Sequence, residues 1–475
     1  MRHILIFLLT LTAFAMGGCA TNPVSGGKDF VMMSESQEIA LGRSADAEIR
    51  KQYKVYANPA LQDYVNRVGQ KLSQHSHRPN ISYRFTVLDS PEINAFALPG
   101  GYVYITRGIM AYLNSEAEMA AVLGHEVGHV TARHGVRQQS AAQAANIGIS
   151  IAAIFIPELN TQLGQDISNL FGGALLSGYG RDHELESDRL GAQYLARTDY
   201  DPQAMIRVVG VLKNQELFDA EIAKQEGREP RRYHGTFATH PDNDTRLQQV
   251  VGEAKGLTVA NPAEGRDEFL KMTESLVFGD SIEEGIVRDN RFTHRDLGFA
   301  LTFPPEWNVK NSPTQLYAIS PAGDAAIQLK IDGKPSGTPA EYMRRALGSS
   351  ASLEALKIES LNAAIGSDNK VLLGIIYHEG KAFIIQGNAK SGETLAAQRE
   401  TMRSAIRSFH VLNADEKKAI KPLLIRVVSA KKGDTYEKLA QRSPLGKNAE
   451  NYLRLMNAQY PKGELAAGQR VKIVE

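Results

Sequence analysis

The sequence is short of several things that would each point to a different class of protein. A single cysteine among 475 residues excludes an intramolecular disulfide framework. Lys and Arg number 54 and Asp and Glu 53, so there is no excess charge to attract nucleic acid or an anionic membrane surface. Beyond the N-terminus, the longest apolar run, Ile147–Ile156, ends after ten residues at Pro157 and is too short to span a bilayer. The remaining composition, 43% hydrophobic and 23% charged, is that of a globular protein of about two to four domains.

The N-terminus has the pattern of an export signal. Three residues with one arginine precede the apolar stretch Ile4–Met16, and Gly17-Gly18-Cys19 follows it. This segment resembles a bacterial lipoprotein signal, which implies removal of residues 1–18 and lipidation of Cys19. Ala20 after the cysteine favours the outer membrane, with the protein facing the periplasm. The alternative is an ordinary signal peptide with a chance cysteine.

The sharpest motif is the segment His125-Glu126-Val127-Gly128-His129. Helical residues four apart are separated by about 40°, so both imidazoles can bind one Zn²⁺. Glu126 lies beside them, where a carboxylate can act as general base toward zinc-activated water. Small and apolar neighbours from Ala120 to Val130 favour a buried helix over a polar cluster on the surface.

A catalytic zinc site needs a third protein ligand. His134 would lie about 140° from His129 on a continuous helix and would face away. In a later helical segment, Glu184 and Asp188 are four apart and share a face, so one can bind zinc while the other accepts the free N–H of a ligand histidine. Glu186 is expected on the opposite, solvated side of that helix, and its exchange with Glu184 as ligand is the alternative.

The region from about residue 30 to 255 resembles the HtpX/BepA-type zinc metallopeptidases, in their soluble periplasmic branch. The resemblance is carried by His125–His129, by Glu184 with Asp188, and by the Asn94-Ala95-Phe96 and Pro99-Gly100-Gly101 segments. It implies an α+β fold: a mainly helical, zincin-type (gluzincin) domain with a small edge-exposed sheet. It also implies one Zn²⁺ per chain, with Glu184 as third ligand and Asp188 as a catalytic residue.

The same resemblance assigns a substrate role to the strand after the Pro-Gly-Gly turn. Strand Tyr102–Thr106 is expected at the sheet edge, where main-chain hydrogen bonds bind any extended peptide. Gly101, Tyr102, Val103 and Tyr104 are therefore the predicted substrate-binding residues. An internal position of this strand is the alternative.

Two further residues match family positions near the zinc. His240 can act as a fourth ligand that closes the site until its loop moves; a simply exposed histidine is the alternative. Arg246, counted here as a catalytic residue, would stabilise the developing oxyanion or pair with an acid.

The sequence predicts three domains after the signal. Residues 19–260 form the peptidase domain, residues 285–412 an α+β sandwich-like domain that loosely resembles PsbP, and residues 422–475 a small βααβ module that resembles LysM. The LysM resemblance implies peptidoglycan as a partner; a structural cap on the middle domain is the alternative for this tail.

The predicted function is zinc-dependent endopeptidase activity in the bacterial envelope. By family resemblance, the substrates are misfolded or stalled periplasmic and outer-membrane proteins, and the lipid anchor makes the membrane a partner. A zinc-stabilised chaperone or assembly factor, and a peptidoglycan-associated scaffold, are the alternatives with little proteolysis.

Overall fold

The chain forms two compact units. The computed structural model describes residues 19–145, 180–226, 252, 254, 256–311, 315–348 and 351–475. The predicted signal in residues 1–18, the apolar run Ile147–Ile156, His240 and Arg246 lie outside these ranges. The first unit runs to Phe278 and resumes with Leu424–Glu475, and the second is Gly279–Leu423.

The first unit is mainly helical, with small sheets. Helix α1 begins at a capping box in which Ser34 and Gln37 cap each other's backbone, and α2 begins with Asn58 as cap and Pro59 in the first turn. Its helices are α1 (Glu35–Gln52), α2 (Pro59–Gln74), α3 (Arg107–Met110), α4 (Glu116–Thr131), α5 (His134–Ala145), α6 (Arg181–Arg197), α7 (Ala204–Glu226), α8 (Arg266–Met272), α12 (Tyr436–Ala440) and α13 (Ala449–Met456). Its strands are β1 (Cys19–Thr21), β2 (Lys28–Phe30), β3 (Arg84–Leu88), β4 (Ala95–Leu98), β5 (Tyr102–Thr106), β6 (Val277–Phe278), β18 (Leu423–Ser429) and β19 (Arg470–Val474).

The sheet next to the site has the order β3-β5-β4. Strand β5 pairs parallel with β3 and antiparallel with β4, so it is the central strand. The prediction that Tyr102–Thr106 is an edge strand is therefore wrong. The Pro99-Gly100-Gly101 turn folds β4 back beside β5 as a hairpin, and β4 is the edge strand of the sheet that the described residues form. Gly101 has φ 96°, and a Cβ there would lie 2.8 Å from the carbonyl oxygen of Ser82.

The C-terminal segment is built into the first unit. Its elements follow the order β18-α12-α13-β19, and its two strands extend β6 in one sheet, β19-β18-β6. The fully buried Lys472 donates from Nζ to the carbonyl oxygens of Ala111 and Leu113, both at 2.6 Å. These carbonyls precede Ser115, the cap of α4. The last strand of the chain thus holds the loop that leads into α4.

The second unit packs two antiparallel sheets around an apolar core. Its helices are α9 (Pro339–Leu347), α10 (Gly392–Arg407) and α11 (Ala414–Ala419). Its strands are β7 (Ile286–Arg288), β8 (Arg291–His294), β9 (Phe299–Thr302), β10 (Asn308–Asn311), β11 (Leu316–Ile319), β12 (Ala325–Asp332), β13 (Ser352–Ile358), β14 (Leu361–Ser367), β15 (Val371–His378), β16 (Lys381–Ala389) and β17 (His410–Val411). They form the sheets β10-β11-β12-β16-β15-β14-β13 and β17-β9-β8-β7.

Side chains alternate between the two faces of the larger sheet of the second unit. On β15, Leu372 and Ile376 join the core that contains Phe299 and Met402, whereas Leu373 and Ile375 pack toward α9. Across all described parts of the chain, no helix combines the length and the apolar character that a membrane span requires.

Candidate metal centre

Helix α4 carries the two histidines in a buried setting. Ser115 caps it by accepting from the backbone N–H of Glu118 at 3.2 Å, and every residue from Ala117 to Thr131 is buried. Glycines bring α4 and α6 into close contact: a Cβ on Gly128 would lie 3.1 Å from the backbone of Ser187, and one on Gly191 3.0 Å from the backbone nitrogen of His125. The small residues thus let α6 present its acidic face to the histidines.

Three donor groups meet between these helices. The Nε2 atoms of His125 and His129 lie 3.0 Å apart, and each lies 3.5 Å from a carboxylate oxygen of Glu184. All three side chains are at most 2% exposed. Within the described part of the chain, these three residues are the group whose ligand atoms lie close enough together to bind one metal ion. Tetrahedral zinc with bonds of roughly 2.0–2.1 Å places its ligand atoms about 3.3 Å apart, which these distances match. The residues therefore fit one Zn²⁺.

The remaining nitrogen of His125 is held by Asp188. Its Nδ1 lies 2.8 Å from Oδ1 of Asp188, which is 1% exposed. The carboxylate accepts the N–H, so the lone pair of Nε2 faces the centre of the cluster. Glu184 and Asp188 thus occupy the two places that their four-residue spacing offers, the former between the histidines and the latter behind one of them.

The remaining nitrogen of His129 is also held, by a residue expected to face away. Nδ1 of His134 lies 2.8 Å from Nδ1 of His129, and Nε2 of His134 lies 3.0 Å from Oε2 of Glu186. The hydrogen bond from His134 lowers the pKa of Glu186 to about 2, and burial lowers the pKa of His134 itself. The interpretation of Glu186 as a solvated residue is wrong, because its side chain is 18% exposed and bonded to His134 and Arg137.

The reason for this difference lies in the path of the backbone. Helix α4 ends at Thr131, Arg133 has φ 54°, and α5 begins anew at His134. The 140° estimate holds only for a continuous helix. Because an arginine rarely adopts a left-handed conformation, the sequence carries no signal for this break. Glu38 stabilises it by accepting from Nε of Arg133 at 2.8 Å.

Other predicted site residues are placed as follows. Glu126 follows His125 on α4 and is fully buried. Tyr102 to Tyr104 belong to the central strand β5, and both β4 and β5 contact α4. The backbone of Cys19 opens strand β1, paired with Phe30.

Comparisons with known proteins agree with this geometry. Residues 59–254 match the sequence model of Peptidase family M48. The chain is 28% identical over 276 residues to the beta-barrel assembly-enhancing protease of Yersinia pestis, covering 54% of each protein. It is 27% identical over 263 residues to the protein of that name from Escherichia coli K12, covering 54% of this chain and 52% of that one.

More distant similarities extend to a eukaryotic protein and a solved structure. The mitochondrial metalloendopeptidase OMA1 of Schizosaccharomyces pombe is 30% identical over 185 residues, 38% of this chain and 54% of that protein. A solution structure of PsbP from Synechocystis sp. PCC 6803 matches 28% of this chain and 98% of its own, at 17% identity, with a TM-score of 0.21 that is too low to assign a shared fold.

The chain spans about half the length of the curated relatives it matches. The similarity of residues 59–254 to Peptidase family M48 and the buried cluster of His125, His129 and Glu184 agree on the chemistry of a zinc-dependent metalloprotease.

Proposed function

We propose that the protein is a zinc-dependent endopeptidase of the bacterial envelope that hydrolyses peptide bonds in misfolded or stalled periplasmic and outer-membrane proteins. The observation that carries the proposal is the buried cluster of His125, His129 and Glu184, together with the buried Glu126 on the helix of the two histidines. Relatives named beta-barrel assembly-enhancing protease support an envelope substrate. Lipidation of Cys19 would hold the enzyme to the outer membrane, facing the periplasm.

Glu126 is the residue proposed to move protons. Bound zinc would polarise the scissile carbonyl and acidify the attacking water. Glu126 accepts a proton from that water and then donates it to the leaving amine, so no covalent enzyme intermediate is needed. Its complete burial excludes bulk solvent from this exchange.

Substrate backbone is proposed to bind at β4 and not at β5. The N–H of Thr106 donates to the carbonyl of Asn94 at 3.0 Å, which makes this a hydrogen-bonded pair of the antiparallel ladder. Because such pairs alternate, the N–H and C=O of Ala95 and Ala97 point away from β5, toward the side of β4 that pairs with no other described strand. An extended peptide can pair with these groups whatever its sequence, as clients of varied sequence require.

The space beside β4 is narrow in this conformation. Ala97 and His129 line a cavity of about 10 Å³ together with Arg133 and Val136. That volume holds about one water molecule. A peptide N-methylated at alternate residues tests the pairing: methylation in one register should abolish cleavage, whereas methylation in the other should leave it unchanged.

Two residues outside the described ranges complete the proposal. His240 is proposed as a fourth ligand that keeps the site inactive until its loop moves, and Arg246 as a group that stabilises the oxyanion. His240→Ala should therefore raise the rate of cleavage; an unchanged or lower rate would contradict a switch.

The direct test is cleavage of casein by the chain from residue 20 with zinc. Glu126→Gln should bind zinc and cleave nothing, since the amide cannot accept the proton. Glu400→Gln is the matched control, because Glu400 is 80% exposed on α10 of the second unit. Wild-type turnover by the Glu126→Gln form would overturn the role of Glu126. Zinc binding without cleavage by any form, His240→Ala included, would favour an assembly factor.

A further inference from the structure

The hydrogen bond between His129 and His134 has one consistent assignment of protons. A histidine that binds zinc through Nε2 carries its proton on Nδ1. His129 therefore donates across the 2.8 Å contact, and Nδ1 of His134 accepts. The N–H of a neutral His134 is then on Nε2, 3.0 Å from Oε2 of Glu186, which accepts it. The three side chains form a chain that runs from the zinc ligand to a carboxylate.

His134 is held firmly in this position. Its side chain is 0% exposed, and its ring stacks on the ring of His183 with centroids 4.3 Å apart and planes 19° apart. The hydroxyl of Ser187 lies 3.3 Å from its Nδ1. With one face covered and both nitrogens in hydrogen bonds, the ring has a single orientation.

The carboxylate of Glu186 is also held by Arg137, which in turn contacts strand β2. Nη1 of Arg137, on α5, donates to Oε2 of Glu186 at 3.1 Å. Nε of the same guanidinium lies 3.5 Å from the carboxylate of Asp29 on β2. Glu186, the last member of this hydrogen-bonded series, thus belongs to α6 and is also bonded to Arg137 of α5.

We propose that His134 and Glu186 are positioning residues for the zinc ligand His129, as Asp188 is for His125. They fix its tautomer and ring orientation, and through these the affinity for zinc. This inference rests on the zinc site of the proposed function. It differs from the arrangement at His125 because the carboxylate acts through an intervening imidazole.

The test compares His134→Asn with His134→Leu in the chain from residue 20. The two side chains have nearly the same size and shape, but Asn places an acceptor oxygen close to where His134 has Nδ1, and Leu does not. Zinc affinity is measured by competition with a chromogenic chelator. We expect the Leu form to bind zinc about 10- to 100-fold more weakly than wild type, and the Asn form to recover most of that loss. Equal affinities for the two forms would overturn the proposal.

A second variant covers the case in which neither substitution at this buried site folds. Glu186→Ala lies at a partly exposed position and should weaken zinc binding about 10-fold. His75→Ala, at an exposed histidine after α2, is the control and should leave affinity unchanged. Wild-type affinity in the Glu186→Ala form would contradict a role for the carboxylate.

Cleavage of casein, measured in parallel, separates the two hypotheses. If the wild-type protein does not cleave casein but the variants bind zinc more weakly than wild type, the proposed function is refuted and the positioning role is retained. Full cleavage by wild type, with unchanged zinc affinity in every variant, would refute the positioning role alone.

Discussion

In the first unit the interior contains many ionisable side chains, whereas in the second it is almost entirely apolar. Buried residues of the first unit include Glu38, Arg78, Asp89, Arg107, Glu118, His125, Glu126, His129, His134, Glu184, Asp188 and Lys472. Among the described residues of the second unit, the buried polar side chains are three serines and His378.

The two units thus stabilise their interiors by different interactions. Buried charge lowers stability unless it is paired, and the first unit pairs it extensively, as in the Arg78–Glu38 contact at 2.8 Å. The second unit buries aromatic rings instead, such as Phe299 stacked on Phe409 with centroids 5.2 Å apart. The chemistry therefore belongs to the first unit, and substitutions should affect the two units in different ways.

The largest expected effect is the loss of the zinc site. Glu184→Gln replaces the only carboxylate of the cluster with a weak neutral ligand, so zinc affinity should fall by more than the roughly 10- to 100-fold that loss of an outer partner costs. Casein cleavage should disappear with it. The second unit contains Trp307, the single tryptophan of the chain, whose fluorescence should not change. Retained zinc affinity would show that Glu184 is not a ligand.

The next effect concerns the C-terminal segment. Deleting residues 424–475 removes the contacts of Lys472 and uncovers Phe218, whose ring lies 5.0 Å from that of Tyr452. Several large apolar side chains at roughly 1.5–3 kcal/mol each make the expected loss more than about 5 kcal/mol. The deleted chain should lose cleavage and zinc binding. If it kept both, the segment would be an independent module, as its resemblance to LysM suggests.

A smaller effect is expected from the core of the second unit. Phe299→Ala leaves a cavity between the rings of Phe383 and Phe409 and should lower the stability of this unit by about 3–5 kcal/mol. Fluorescence of Trp307 during urea unfolding measures this loss directly. Zinc affinity of the folded chain should stay at the wild-type value; a parallel fall would mean that the two units are not independent.

The smallest effect is a pH dependence of the second unit. His410 contacts the carboxylates of Glu359 at 2.5 Å and Glu416 at 2.9 Å, and these hydrogen bonds raise its pKa; Arg291 is also near Glu416, at 3.9 Å. Because the folded-state pKa exceeds the ordinary 6.5, the stabilisation is complete below pH 6.5 and is lost as the pH rises through the folded-state value.

The expected loss is no more than about 1 kcal/mol, since the His410 side chain is 33% exposed. Unfolding followed through Trp307 between pH 6 and 8 should show a decline in wild type, and His410→Gln should remove it. Parallel pH profiles of the two forms would assign the decline to another group.

The pairing of the two histidines could be predicted because helical spacing fixes their geometry locally, whereas the choice of Glu184 over Asp188 as ligand rests on the family resemblance. Two residues four apart on one helix share a face, whatever the rest of the fold does, and this holds for His125 with His129 and for Glu184 with Asp188. The partner of His129 could not be predicted this way. His134 reaches it only because Arg133 interrupts the helix, and that conformation depends on Glu38, nearly a hundred residues earlier.

Pairing between segments distant in sequence also determines which strand is central in the β3-β5-β4 sheet. The segment Tyr102–Thr106 reads as a strand from its own residues, but its central position depends on Arg84–Leu88 pairing on its far side. In the same way, nothing in the C-terminal sequence indicates that Lys472 is buried against the loop before α4. The roles of His240 and Arg246 remain predictions.

The hairpin β1–β2 affects how far the first unit could lie from a lipid attached to Cys19. Cys19 pairs with Phe30, and the neighbouring Asp29 lies 3.5 Å from Arg137 on α5. An acyl chain on Cys19 would therefore be joined to the folded body without a flexible tether. If Cys19 is lipidated as proposed, the short hairpin would keep the first unit close to the membrane surface. Under the proposed lipidation, polypeptides at the membrane surface would meet the site first.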